Sequence, residues 1–259
     1  MYKRQAYARK LLLGQKGEQA LQVLAAVPIG DDQTHAYLAC ERSHIFREMG
    51  EFDEAVIEAR EAHRLLPNLP RHTLELATAI MAADADYEEA VDCLLPLTSS
   101  EACGQDTWAA YATALRYAER RDAYDQLVDY EKHVGLRHIE TPEGHDSLTA
   151  FLQMLRDHLM SLHITRHHPV DQSLQHGAQT LDDVLSRDEP IIDALKVALA
   201  NAVRSFTEGL PPSEKHPLAR RQTGQIAFSD SWSVLLRNKG FHKNPVSYTH
   251  LRAHETPVN

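Results

Sequence analysis

The sequence has little cysteine and no long apolar run. Cys40, Cys93 and Cys103 are the only cysteines in 259 residues, an odd number with no CxxC spacing. Such a set excludes a disulfide framework and predicts buried free thiols in a reducing cytoplasm. No stretch reaches the roughly 18 apolar residues that a membrane-spanning helix needs. The basic start, "MYKRQAYARKLLLG", has an apolar stretch too short for the core of a secretory signal. Positive charge is scarce as well: 27 Lys and Arg face 37 Asp and Glu, a formal net charge of −10. Without clustered cations, neither nucleic acid nor an anionic membrane is an expected partner. Also missing are a glycine-rich phosphate loop and the Gly-x-Ser-x-Gly turn of a serine hydrolase. What is present is apolar content, 43%, enough for one large core or two smaller ones.

That content is periodic. "GEQAL", "FDEAV" and "YEEAV" place Ala20, Ala55 and Ala90 35 residues apart, and Ala123 of "RDAYDQL" follows after 33. A period of this size marks a stacked supersecondary unit. Each alanine follows a turn-prone stretch: Gly17, Gly50, Asp84 to Asp86, and Arg120 to Asp122. The clearest unit, Ala36 to Asn68, reads "AYLACERSHIFREMGEFDEAVIEAREAHRLLPN". Its first helix carries Tyr37, Ala39, Ser43 and Phe46 and breaks at Gly50. Its second begins near Asp53 and carries Ala55, Ala59 and Ala62. Small residues at Ser43, Ala55 and Ala62 let the two helices approach, and Phe46 and Phe52 fill the space between. Pro67 ends the second helix because it cannot continue the hydrogen-bond ladder.

With small, aromatic, Gly, Ala, Ala and Pro positions on Ser43, Phe46, Gly50, Ala55, Ala62 and Pro67, this unit resembles the tetratricopeptide repeat. Stretches at about 6–33, 70–97 and 105–135 are degenerate copies. The copy at 70–97, the third unit in chain order, lacks the turn glycine, and the one at 105–135 keeps mainly Trp108, Ala112 and Leu115. The resemblance implies a mainly α helical-repeat solenoid over 6–135, about half of the chain. It also implies either a concave groove for a peptide or protein partner, with Tyr37, His44 and Arg47 on the inward face, or a scaffold that only supports the second domain. A repeat array needs a cap. Leu148, Phe151, Leu152, Leu155, Leu159 and Leu162 form a helical stripe suited to that role, within a cap and linker at 136–168. Burial is expected at Phe46, Ala55, Ala62, Leu115, Leu152 and Leu155, with helices near 146–164 and 189–208.

After Pro169 the character changes. Asp188 is a candidate N-cap with Pro190 in the first turn, and Gly209, Pro211 and Pro212 stop the helix. Ile191, Leu195, Leu199, Ala202 and Phe206 give it a buried face. The period then becomes two. In "IAFSDSWSVLL", Phe228, Asp230, Trp232, Val234 and Leu236 share one face, which predicts a strand over 226–236 ended by "RNKG".

"DQSLQHGAQT", one long helix, and then "HPL…FSDSWSVLLRNKGFHKN" resemble the opening of an Fe(II)/2-oxoglutarate-dependent dioxygenase domain found behind tetratricopeptide repeats. The resemblance covers about 169–244 and implies the incomplete N-terminal part of a double-stranded β-helix, a helix plus one or two strands. Gln172, Ser173, Gln179, Thr180 and Trp232 are its candidate pocket lining. The bland alternative has the polar ones satisfying their own backbone and Trp232 in the core. Such oxygenases hold Fe(II) with two histidines and a carboxylate, leaving open positions for 2-oxoglutarate and O₂. The family would supply these ligands after Asn244, where the match stops. The resemblance therefore implies Fe(II) and 2-oxoglutarate for the complete parent, and neither catalytic residues nor metal ligands in this chain. His242 is the single weak candidate; it precedes the expected ligands and reads better as a turn histidine.

"MYKRQ" at Met1 to Gln5, and "VSYTHLRAHET" within Pro245 to Asn259, look like translated sequencing-adapter peptides from assembled metagenomic reading frames. Residues 245–259 are expected to be extended or disordered with few apolar contacts, and His250, His254 and Glu255 are given no chemistry. His163 and His167 lie four apart, a spacing that can put two ligands on one helix face. Pro169 follows closely and no Glu or third ligand accompanies them, so a solvated helix end is the simpler reading. Two function classes remain: an oxygenase fragment, catalytically incomplete as given, or a non-enzymatic helical-repeat interaction scaffold.

Overall fold

The computed structural model describes residues 2–100, 103–164, 174–213, 216–221 and 223–242. The chain is mainly helical, with one small antiparallel sheet, and divides into two compact units between Leu127 and Val128.

The first unit consists of α1 (Tyr2–Leu13), α2 (Gly17–Ala25), α3 (Asp32–Met49), α4 (Phe52–Leu65), α5 (Pro70–Ala82), α6 (Tyr87–Thr98), α7 (Gln105–Tyr117) and α8 (Arg121–Leu127). Consecutive helices pack together, and α1 also touches α3, α3 touches α5, and α5 touches α7. Side-chain caps start several of them. Asp31 accepts from the Thr34 N–H at 2.6 Å, and Asp86 from the Glu89 N–H at 3.1 Å.

One turn closes every odd-numbered helix of this unit. Gln15, Gly50, Asp84 and Glu119 all have left-handed backbone, with φ of 59°, 82°, 51° and 56°. The next N–H bonds back to the carbonyl five residues earlier: Lys16 to Leu11, Glu51 to Phe46, Ala85 to Ile80, and Arg120 to Leu115, at 2.9–3.2 Å. Each is the helix-ending arrangement that glycine serves best. The turn glycine missing from the third unit is thus replaced by Asp84, a residue that enters this region more readily than most. At Gly50 an added Cβ would meet nothing within 4 Å, so substitution costs only backbone energy. Gly50→Ala should therefore lower stability by about 1 kcal/mol, read as a shift in the urea midpoint. A neutral effect would show that the left-handed turn is not required.

Alanine makes the close helix approach possible. Ala55, Ala59, Ala77, Ala79, Ala90, Ala110 and Ala114 lie in one buried cluster with Leu76, Ile80, Leu94 and Leu115. Ala62 is equally sealed, against Ala39 and Cys40. Phe46 packs at the margin of the main cluster, half-buried. Cys40 and Cys103 are buried free thiols, while Cys93 is half-buried. Burial pushes the Cys40 thiol up to about 12, which leaves it inert.

The second unit contains α9 (Tyr130–His133), α10 (Leu148–Leu162), β1 (Leu174–Gln179), a 3₁₀ turn at Val184–Ser186, α11 (Pro190–Thr207), a 3₁₀ turn at Ala219–Arg221, and β2 (Val234–His242). The helix expected to cap the repeats is α10, started by the Ser147 side chain. Its buried residues belong to this second unit, where Phe151 and Leu155 pack with Val184, Leu185 and Ile192. The stripe is narrower than expected, because Leu152 is 43% exposed. α11 begins where anticipated, with Pro190 at its first position, but its N-cap is Glu189 rather than Asp188.

The strand differs from expectation. β2 starts at Val234 rather than 226 and runs through "RNKGFH" instead of stopping there. It pairs antiparallel with β1, Gln179 opposite Val234 and Gly177 opposite Leu236, and the register then shifts before Gln175 meets Phe241. The turn-prone "RNKG" is absorbed as that irregularity. Upstream, the alternating serines serve local bonds rather than a strand. Ser231 Oγ accepts from the Leu185 N–H at 2.6 Å and donates to Asp183. The shared face therefore does not form, and Trp232 and Leu236 are exposed.

Among the described residues no helix is long and apolar enough to cross a membrane. Residues 245–259 lie outside the described residues.

Candidate functional site

Three helices of the first unit, α1, α3 and α5, contribute to a polar network centred on Glu41 of α3. This carboxylate is 3% exposed. It accepts from Arg9 of α1, Nε at 3.0 Å and Nη2 at 2.5 Å, and from Arg71 of α5. Burial works to raise the Glu41 carboxyl, but the hydrogen bonds and charges of the two guanidinium groups outweigh it and hold the group below its ordinary value. The two arginines themselves remain open: their side chains are 54% and 48% exposed.

Arg47, six residues further along α3, behaves differently. It is 4% exposed, and its guanidinium donates to Glu75 at 3.5 Å, Glu48 at 3.3 Å and His44 Nδ1 at 2.8 Å. The Ser43 hydroxyl donates to the same Glu75 oxygen at 2.9 Å. Burial pushes the Glu75 carboxyl up, against the pull of Arg47 and Ser43. Burial, with Arg47's charge, pushes His44 down to about 4, so at neutral pH it is an uncharged acceptor for Arg47. The Tyr37 ring lies edge-on to His72, with centroids 5.4 Å apart.

Of the three residues expected in the groove, Tyr37 and His44 are half-buried, and Arg47 is spent on internal partners. The cations of this network open to a ligand are Arg9 and Arg71, which sequence reasoning passed over. A signal for them exists. Arg9 and Glu41 lie 32 residues apart, Glu41 and Arg71 30, and Ser43 and Glu75 32, each close to one repeat length. Opposite charges recurring at about that spacing would have found the network.

The second-unit candidates are less assembled. Gln172 and Ser173 lie outside the described residues. Gln179 is half-buried at the end of β1, beside Thr180. Thr180 is 4% exposed and its polar atoms serve the backbone: its N–H donates to the Ser233 carbonyl at 3.1 Å, and its Oγ1 accepts from the Ser233 N–H at 3.0 Å. Trp232 is 57% exposed and does not belong to a core. His242 ends β2 opposite Leu174, within a strand rather than a turn. His163 is bonded to the Ser233 hydroxyl at 3.0 Å, and His167 lies outside the described residues.

Among the described residues no three His, Cys, Asp or Glu side chains converge as a metal ion would require. These residues do not fit an Fe(II) facial triad. What the first-unit network can do is bind: its fixed guanidinium groups suit carboxylate recognition. The chain matches no protein-family model and no curated protein.

Proposed function

We propose that this chain is a helical-repeat interaction protein of the tetratricopeptide type, whose first unit binds a peptide segment carrying an acidic side chain. The observation that carries the reading is the pair of half-exposed guanidinium groups, Arg9 and Arg71, held on the buried Glu41 from either side. A buried anchor fixes both cations before a ligand arrives, so little side-chain entropy is lost on binding. Donor positions not used on Glu41 stay available for a ligand carboxylate, and the aromatic edge of Tyr37 borders the same helix face. The net charge of −10 opposes long-range attraction of an acidic partner. Recognition then rests on local contact rather than on steering.

Peptides selected from a random display library should share an acidic residue. Calorimetry on synthetic versions should show at least a 10-fold loss for Arg71→Ala and for Arg9→Ala, the size expected when a hydrogen bond to a charged group is removed. Peptides that bind all variants equally would remove the groove assignment.

The second unit is read as the N-terminal portion of an Fe(II)/2-oxoglutarate dioxygenase domain. The order of β1, one long helix, and β2 paired back onto β1 favours this. In this reading Fe(II), 2-oxoglutarate and turnover belong to the complete parent protein, and catalysis is not assigned to these residues.

A further inference from the structure

The first unit has a second polar feature, which shares no residue with the groove. Where the start of α6 meets the turn after α7, a cleft of about 540 Å³ is lined by Asp86, Tyr87, Glu88, Tyr117 and Glu119. The Tyr87 and Tyr117 rings stack in parallel, with centroids 5.1 Å apart and planes 17° from each other. The Tyr87 hydroxyl donates to the Asp84 carboxylate, which fixes the ring. Both tyrosines line the cleft, and Tyr117 is 36% exposed there.

The carboxylates around it are not equivalent. Asp86 caps α6 through the Glu89 N–H. Glu88 is held by Arg120 through contacts of 2.8–3.1 Å, which shows that this rim accepts the fork of a guanidinium. Glu119 is exposed and its carboxylate has no ionic partner among the described residues.

We propose that this cleft takes an arginine side chain of a partner protein, its guanidinium stacked on Tyr117 and hydrogen-bonded to Glu119. A parallel tyrosine pair suits a planar cation better than a compact ammonium. Three carboxylates, Asp86, Glu88 and Glu119, line a site to which Arg120 brings one positive charge through Glu88, so an anionic ligand is repelled. A purely apolar one would strip water from that rim without replacing its hydrogen bonds. The site is therefore selective for charge and for planarity together.

The test uses the full chain and Nα-acetyl-arginine amide as the probe, followed by NMR of labelled tyrosine rings. A saturable shift is expected at Tyr87 and Tyr117, with a dissociation constant on the order of millimolar for so small a ligand. Glu119→Gln and Tyr117→Ala should each weaken it by about 5-fold or more. Both residues are exposed, and Glu119→Gln keeps shape and fold, so its result stands alone if Tyr117→Ala fails to fold. The citrulline analogue, planar but uncharged, should not saturate, and the lysine analogue should bind more weakly than arginine. The proposal is overturned by citrulline binding as well as arginine, by lysine binding tighter, or by an unchanged affinity in Glu119→Gln. None of these outcomes touches the groove assignment, which depends on Arg9 and Arg71.

Discussion

Arg47→Met should destabilise the first unit by about 3 kcal/mol, because breaking a buried ion pair strands the surviving charge. Methionine keeps most of the stem volume, so the change is chiefly electrostatic. Glu75 would retain the Ser43 hydroxyl at 2.9 Å as its remaining hydrogen-bond donor in the network. His44 would lose the donor to its Nδ1. The pH dependence has a definite sign. A carboxyl whose pKa is raised in the folded state favours folding more as it takes up a proton, so the variant's deficit should be larger at pH 7 than at pH 5. Arg47→Met combined with Glu75→Gln should recover most of the loss, since no unpaired charge then remains buried. The chain has two tryptophans, Trp108 in α7 and Trp232 in the second unit. In a Trp232→Phe background, fluorescence during urea unfolding reports the first unit alone. A single-variant loss under about 1 kcal/mol, or no recovery in the double variant, would show that Arg47 is not a structural ion. It would then be free to serve a ligand, as the sequence pattern suggested.

Arg47 also shows where sequence reading stops. Its place within α3 followed from the helical spacing of Tyr37, Ser43 and Phe46, and so did the sealed positions of Ala55, Ala62 and Leu115. Those depend on short-range periodicity, which a single sequence carries in full. Whether an inward arginine faces a ligand or a neighbouring helix depends on residues about one repeat away, here Glu75. The 35-residue alanine spacing locates helices, and pairing charges at nearly the same spacing would have located the network as well. The turns tell the same story. A missing glycine suggested a weakened third unit, yet Asp84 and Glu119 adopt the same left-handed backbone as Gly50. The second unit was harder for a different reason. Alternation in "FSDSWSV" is the usual mark of a half-buried strand, but serine can also satisfy nearby backbone. The Ser231 hydroxyl took that course with the Leu185 N–H, while the Ser233 backbone pairs with Thr180, and the strand begins downstream at Val234.

Phe151→Ala should cost the second unit about 3–5 kcal/mol, the range for removing a large side chain from a packed interior. The ring is fully buried and packs with Leu155, Val184, Leu185 and Ile192, joining α10 to α11 through the turn between β1 and α11. His145 and Phe151 pack edge to face, with centroids 4.8 Å apart, so truncation removes an aromatic contact as well as volume. Few residues are fully buried in this unit, and a loss of that size is comparable with the whole stability of a small domain. The expected observation is therefore loss of the cooperative transition seen by Trp232 in a Trp108→Phe background, rather than a modest shift of its midpoint. Leu152→Ala supplies the contrast. It lies one residue further along the same apolar stripe but is 43% exposed, and it should change stability by less than about 0.5 kcal/mol. Equal losses from the two substitutions would mean that the stripe is buried on both sides, as a cap between repeat array and second domain requires. A large loss at Phe151 alone would place α10 wholly in the second unit's own core.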